Sequence, residues 1–263
     1  MNIFTQQISC LLKEIIISIQ SYIDAHHFIR QHRLWKWIVI PGIISTLLFI
    51  VGMYFFLQST NDAVSFFNKQ IGIQAWLDQQ SSEGLNFLFL MAGLILQLIL
   101  VFFYFSLFKY LFLIVSSPVF AYLSEKTTSI LEGRDYPFSW PEVMKDASRG
   151  IKLALRNALW QTVYLLSLLL ASLIPVVGWV TPLVAMFIEC YYFGFSMMDY
   201  SCARNKLTPS ESIEYIGNHR GLAVGNGIMF LLMHGAVLIG WVLAPSYAVV
   251  AATLSLHKMG TKP

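Results

Sequence analysis

Residues 158–198 read ALWQTVYLLSLLLASLIPVVGWVTPLVAMFIECYYFGFSMM, 41 residues in which Glu189 is the only charged side chain. A helix crossing a hydrocarbon core of about 30 Å needs about 20 residues, so this run is too long for one crossing. In its middle, Pro175 and Pro182 stand on either side of Gly178 and Trp179. Proline and glycine together mark a break. The reading is a helical hairpin whose two arms, each about 18 to 20 residues, can cross and return. Backbone in lipid must satisfy its own hydrogen bonds, which makes helices the default there. The short alternating segments of a membrane barrel are absent.

Three other apolar stretches extend the pattern. Residues 37–57 carry no charge over 21 positions, 85–115 carry only Lys109 over 31, and 221–256 lack Asp, Glu, Lys and Arg over 36. The first reads as one span. The second would make a helix of about 46 Å at 1.5 Å per residue, so it must tilt, kink or protrude. Lys109 near its end can snorkel to the headgroups. Ser116-Ser117-Pro118 should close it, because the residue before a proline is pushed out of the helical region. The fourth stretch reads as a second hairpin broken over Gly240-Trp241 to Pro245. Its arm after Pro245 has only about 10 residues and so should penetrate partway. Gly178-Trp179-Val180 and Gly240-Trp241-Val242 form a weak repeat. Two interface turns with an interfacial Trp explain it; so does internal duplication.

The fold expected is therefore all-α, a polytopic integral membrane protein with two long spanning helices, two helical hairpins and in-plane amphipathic helices. One membrane domain covers 1–263. It comprises a cytoplasmic amphipathic helix at 1–36, a span at 37–57, an outer loop at 58–84 and a span at 85–115. A cytoplasmic amphipathic segment at 116–157 follows, then a hairpin at 158–198, a cytoplasmic loop at 199–220, a hairpin at 221–256 and a tail at 257–263.

Composition agrees. The 263 residues are 57% hydrophobic and only 12% charged, with mean hydropathy +0.64, whereas a soluble domain carries about 25% charged residues. An ordinary soluble enzyme, a disordered chain and a disulfide scaffold are excluded. A net charge of +3 is no argument for nucleic acid. Cys10, Cys190 and Cys202 are odd in number and lack metal spacing, so they read as thiols. With no nucleotide loop, metal cluster or nucleophile triad, neither a cofactor nor enzymatic activity is expected.

Of 17 Lys and Arg, only Lys69 falls in the 58–84 loop and Lys109 in a span, while Asp62, Asp78 and Glu83 make that loop net negative. Positive-inside counting then places the loop outside and both termini in the cytoplasm of an inner (plasma) membrane protein. The start of the chain lacks the basic opening and unbroken apolar core of a signal peptide. Ile8, Leu11, Leu12, Ile15, Ile16, Ile19 and Ile23 recur at helical spacing opposite Gln6, Gln7, Lys13, Glu14 and Gln20. Such a helix lies in the interface with its apolar face in lipid, or packs on a partner helix. Over 140–156, Lys145, Arg149, Lys152 and Arg156 recur at steps of four, three and four and share one face. That face anchors to anionic lipid, or gathers small anions ahead of a route through the protein.

Polar groups within the apolar stretches carry the functional signal. Glu189 falls near mid-bilayer, where a carboxylate is costly and so a functional candidate. It must pair with a cation, Lys109 or Arg156, or take up a proton. Gln97, Asn157, Gln161, Asn226 and His234 are the other such groups. They serve interhelical hydrogen bonds or line a route; convergence on one place favours passage, dispersal a scaffold. His26, His27, His32, Arg30, Arg33 and Lys36 crowd the start of the first span, where they contact headgroups or capture an anion at a helix N-terminus.

From about residue 20 to 258 the chain resembles the CysZ-type sulfate permeases, which share a domain with eukaryotic etoposide-induced membrane proteins. The segments that carry the resemblance are Ser21-Tyr22-Ile23-Asp24-Ala25-His26, Ile40-Pro41-Gly42, Ser117-Pro118-Val119-Phe120-Ala121-Tyr122-Leu123-Ser124-Glu125, Ile174-Pro175-Val176-Val177-Gly178, Asp199-Tyr200 and Ala244-Pro245. The resemblance implies an inner-membrane permease with partially penetrating hairpins, assembled as a homo-oligomer in the lipid bilayer and taking up sulfate for cysteine synthesis. In that family a Gly-Leu/Ile-Arg-Arg motif ahead of the first span looks like the sulfate site. Here it reads Arg33-Leu34-Trp35-Lys36. Arg33 replaces the glycine, Trp35 the first arginine and Lys36 the second. Glycine allows close approach of a dianion to backbone N–H groups, and arginine forks hold oxyanions as lysine does not. Two cations remain.

The function expected is passage of sulfate or a similar small oxyanion. Arg33 and Lys36 would capture the ion, with Arg149 and Arg156 on the basic face steering it. Glu189 would gate it or couple it to protons, among Lys109, Gln97, Asn157, Gln161 and Asn226. The alternative is a non-transporting membrane scaffold of the same domain family.

Overall fold

The computed structural model describes residues 3–71, 83–134, 139–172, 174, 178–236 and 239–259. Eight helices follow one another among them: α1 (Ile3–Gln31), α2 (Trp35–Ile71), α3 (Glu83–Glu132), α4 (Trp140–Ala171), α5 (Thr181–Arg204), α6 (Pro209–Asn218), α7 (Arg220–His234) and α8 (Ile239–Lys258). No strand occurs among the described residues. Trp35–Thr60, Trp140–Ala171 and Ile239–Lys258 are long and apolar enough to cross a membrane. The chain is an all-α polytopic membrane protein.

Burial separates these three. Only 18% of the apolar window of α2 and 22% of that of α4 lies inside the protein, against 78% for α8. Apolar helices that leave most of their surface uncovered need lipid as solvent; α8 is solvated by protein.

The larger compact unit comprises 1–46 and 112–263. In it α5, α7, α8 and α1 pack around one another, and Phe193, Phe195, Met197, Leu222, Ala248 and Val250 are fully buried. Small residues set the distances. A Cβ on Gly227 would overlap the Cys190 carbonyl oxygen, so α5 and α7 touch backbone to backbone, as close membrane helices do. A Cβ on Gly221 would stand 2.5 Å from the Leu11 carbonyl oxygen and 2.7 Å from Glu14 Cβ. Helix α1 docks there with its polar and small face, Glu14, Ser18, Ser21 and Ala25 being buried while Ile8, Leu12, Ile16 and Ile23 stay exposed. One helix thus packs on its own bundle and still offers an apolar face to lipid. The smaller unit, 47–111, pairs part of α2 with part of α3: the Tyr104 hydroxyl donates to the Phe49 carbonyl at 3.0 Å, against Phe56 and Phe108.

Three expectations are corrected. Helix α3 does not close at Ser116-Ser117-Pro118; it continues through Pro118 to Glu132. A proline removes one backbone bond but does not end the helix here, and beside it the Ser117 hydroxyl donates to the Ala147 carbonyl of α4 at 3.2 Å. Helix α2 runs to Ile71, past the end expected at 57. The last hairpin turns earlier than expected, between His234 and Ile239, with Pro245 inside α8. Gly240 does not break the helix; a Cβ there would overlap the Met233 carbonyl oxygen, so it serves the close approach at the turn. The shorter arm is α7, 15 residues or about 22 Å, and α8 has 20.

Candidate functional site

The corner between α1 and α2 is built by a helix-ending motif. Leu34 N–H donates to the Ile29 carbonyl at 3.1 Å, the 6→1 bond of a Schellman cap, and both side chains are buried. The residue between cap and closing bond must be left-handed, which favours glycine. Here it is Arg33, at φ 53°. Helix α2 then starts at Trp35, its first N–H groups and positive dipole end facing out of the corner. Arg33 and Lys36 are both exposed. Beneath them His26 Nδ1 lies 2.8 Å from the Tyr247 hydroxyl, with Trp35 edge-on to His26.

A second polar group lies between α4 and α5. Asn157 donates through Nδ2 to Ser196 Oγ at 3.3 Å and accepts at Oδ1 from Arg156 at 3.1 Å. One turn along, Gln161 donates to the Glu189 carboxylate. Asn157 and Gln161 are buried. The structure thus brings Arg156, Asn157, Gln161 and Glu189 together. Asn226 is elsewhere: it donates to the Ala248 carbonyl at 2.9 Å, and its own carbonyl receives the Tyr22 hydroxyl at 2.9 Å. It ties α1, α7 and α8 together. The side chains of Gln97 and Lys109, on α3, lie outside the described residues.

Arg149 turns inward. It pairs with Asp199 at 3.0 Å and also donates to the Leu207 carbonyl and Ser212 hydroxyl, fastening α4 to α5 and α6. Nearby, Arg204 pairs with Asp146 and with Glu125 at 3.2 Å. Burial raises the Asp199 carboxyl above its ordinary range against the pull of Arg149 and Ser212. It raises Glu125 likewise, against Arg204. Burial and Asp199 push the Cys202 thiol up to about 12, so it stays protonated. Sequence reading missed Glu125, Asp146, Ser212 and Arg204, because separate helices supply them. It also missed Glu14, whose carboxylate accepts from Gly221 N–H at 2.9 Å, at the first turn of α7. Among the described residues no cluster of His, Cys, Asp and Glu could hold a metal ion.

A model of the family described as Sulfate transporter CysZ/Etoposide-induced protein 2.4 matches residues 21–245. Proteins named Sulfate transporter CysZ are similar. That of Pseudomonas paraeruginosa is 32% identical over 163 residues, 61% of this chain and 64% of the relative. That of Pseudomonas aeruginosa is 31% identical over the same shares. That of Pseudomonas fluorescens is 25% identical over 143 residues, 54% of this chain and 57% of the relative. The chain thus spans just under two thirds of the length of the first of these relatives. It belongs to the Sulfate transporter CysZ/Etoposide-induced protein 2.4 family.

Proposed function

We propose that this family member is a permease of the inner (plasma) membrane that passes sulfate, or a similar tetrahedral oxyanion, as a homo-oligomer with both termini cytoplasmic. The carrying observation is the left-handed backbone at Arg33. A position shaped for glycine is kept where the resembling motif has glycine, and Arg33 and Lys36 set two exposed cations beside the first turn of α2. An oxyanion there meets charge and backbone donors together. The Asn157–Gln161–Glu189 group between α4 and α5 supplies polar partners along apolar helices, and Arg156 stands at its end. In this reading Arg149 positions α4 through Asp199, and Asn226 fastens helices.

Uptake of radiolabelled sulfate into proteoliposomes tests the proposal. Flux above empty vesicles is expected, and R33Q/K36Q should lower it at sub-saturating sulfate. Folded protein that gives no flux would leave the non-transporting scaffold as the reading.

A further inference from the structure

A chain of contacts within the larger unit fixes how deep the seam between α4 and α5 lies. Gln161 donates to Glu189, and the next residue of α5, Cys190, meets Gly227 backbone to backbone. The neighbour of that glycine, Asn226, donates to the Ala248 carbonyl at 2.9 Å. Just before it in α8, the Ser246 hydroxyl donates to the Ile38 carbonyl at 3.5 Å. A Cβ on Gly42 would overlap the Val242 carbonyl oxygen, so α2 and α8 run antiparallel in that register. Gln161 and Glu189 are therefore level with the start of α2, where the uncharged run 37–57 begins. That run is the hydrocarbon span, so Glu189 lies at the hydrocarbon edge and not at the mid-bilayer depth expected from the sequence. Arg156 precedes Gln161 by five residues of helix and stands about 7 Å outside that edge. The headgroup layer on each side of the core is about 5–7 Å deep.

One outward face of α4 crosses that boundary. Arg156, Trp160 and Tyr164 recur at steps of four and are neighbours on the helix surface. Trp160 is 49% and Tyr164 46% exposed. Their rings lie 6.2 Å apart, and Tyr164 is backed by the buried Tyr192 of α5 at 6.3 Å. Beside them Leu159 and Val163 are 71% and 53% exposed. Along the helix the face thus changes from cation to aromatic to aliphatic, in the order headgroup, interface, acyl chain. Among the described residues the ion pairs use Arg149, Arg204 and Lys258 as cations. Arg156 instead donates through one terminal nitrogen to the Asn157 side chain at 3.1 Å, and a guanidinium has five N–H donors in all.

We propose that Arg156, Trp160 and Tyr164 form a binding site for an anionic phospholipid in the leaflet next to the start of α2. The phosphodiester sits on the Arg156 guanidinium, the glycerol region against the two rings, and an acyl chain along Leu159 and Val163. A guanidinium presents paired N–H donors that match two phosphate oxygens. Trp and Tyr join an apolar ring to a polar group, which suits the boundary between headgroup and chain. The site goes beyond the permease reading and does not need it: it follows from bilayer depth and charge, whether or not sulfate passes. Depth also separates Arg156 from the other cations of its face. Arg149 turns inward to Asp199, and the exposed Lys145 lies eleven residues, about 16 Å, further from the hydrocarbon.

Equilibrium binding of radiolabelled phosphatidylglycerol to the delipidated full chain in detergent tests this, with radiolabelled sulfate measured in parallel. R156Q, R156K and W160L are compared with K145Q and wild type after size-exclusion confirms folding. R156Q should weaken phosphatidylglycerol binding about tenfold or more. R156K should fall between R156Q and wild type, W160L should weaken binding about threefold, and K145Q should match wild type. Should R156Q not stay monodisperse, R156K and W160L carry the comparison. Phosphatidylglycerol binding unchanged in the Arg156 and Trp160 variants would overturn the site. So would an equal loss in K145Q and R156Q, which would mean a diffuse charge with no fixed depth. Sulfate binding lost in R156Q with phosphatidylglycerol binding intact would assign the guanidinium to the anion route and overturn the lipid site. Sulfate flux, present or absent in wild type, judges the permease reading alone.

Discussion

Replacing Glu14 separates an acceptor from a charge. Glu14 is 4% exposed, and its carboxylate takes the Gly221 N–H at 2.9 Å, where α7 begins and its first-turn donors have no intrahelical partner. Glu14→Ala leaves that buried N–H without an acceptor, about 1–3 kcal/mol. The midway value of about 2 kcal/mol, at about 3 °C per kcal/mol for a chain of this size, lowers Tm by about 6 °C. Glu14→Gln keeps an oxygen acceptor and sheds a buried charge, so its cost should stay within about 1 kcal/mol. The pH dependence has a definite sign. Burial raises the Glu14 carboxyl above its ordinary value, outweighing the Gly221 N–H and His219. The folded state therefore binds more protons than the unfolded chain near the carboxylate range. Its contribution is full below the unfolded value of about 4.3 and is lost as pH rises through the folded one. Glutamine does not titrate, so E14Q should gain on wild type as pH rises from about 4 to 8. Thermal unfolding in detergent, followed by size-exclusion across that range, measures all three. If E14Q falls as far as E14A at every pH, charge rather than acceptor holds α1 to α7, and the reasoning is refuted.

Further outcomes follow from other close contacts. Arg33→Gly should raise stability by about 1 kcal/mol, because glycine removes the cost of a left-handed backbone; a lower melting temperature would contradict the cap described for α1. Arg149→Met should cost about 3–5 kcal/mol by leaving Asp199 buried and unpaired, and adding Asp199→Asn should recover part of the loss; strictly additive effects in denaturant or thermal unfolding would contradict the pairing. Gly227→Leu should cost about 3 kcal/mol or more by forcing α5 from α7, read as loss of monodisperse protein.

The four apolar stretches were legible because a bilayer imposes length and polarity on consecutive residues, and both are local quantities. The amphipathic face of α1 was visible for the same reason, as was the turn around Gly178. The effect of a proline was not local. Pro118 and Pro245 carry the same signal as Pro182 at the start of α5, yet α3 and α8 run through them. The basic face of α4 was also readable as a face, but spacing could not say that Arg149 turns inward to Asp199 while Arg156 donates to the Asn157 side chain.

Sequence alone therefore determined that this is a helical chain solvated by lipid, where it turns back between α4 and α5, and which polar side chains sit expensively among apolar ones. Tertiary structure decided their partners: Gln161 for Glu189, Ser196 for Asn157, and helix contacts for Asn226. The physical reason is range. Hydropathy and helical period act over a few consecutive residues, whereas a hydrogen bond or an ion pair depends on backbones brought together from distant segments, at separations that glycines such as Gly221 and Gly227 permit.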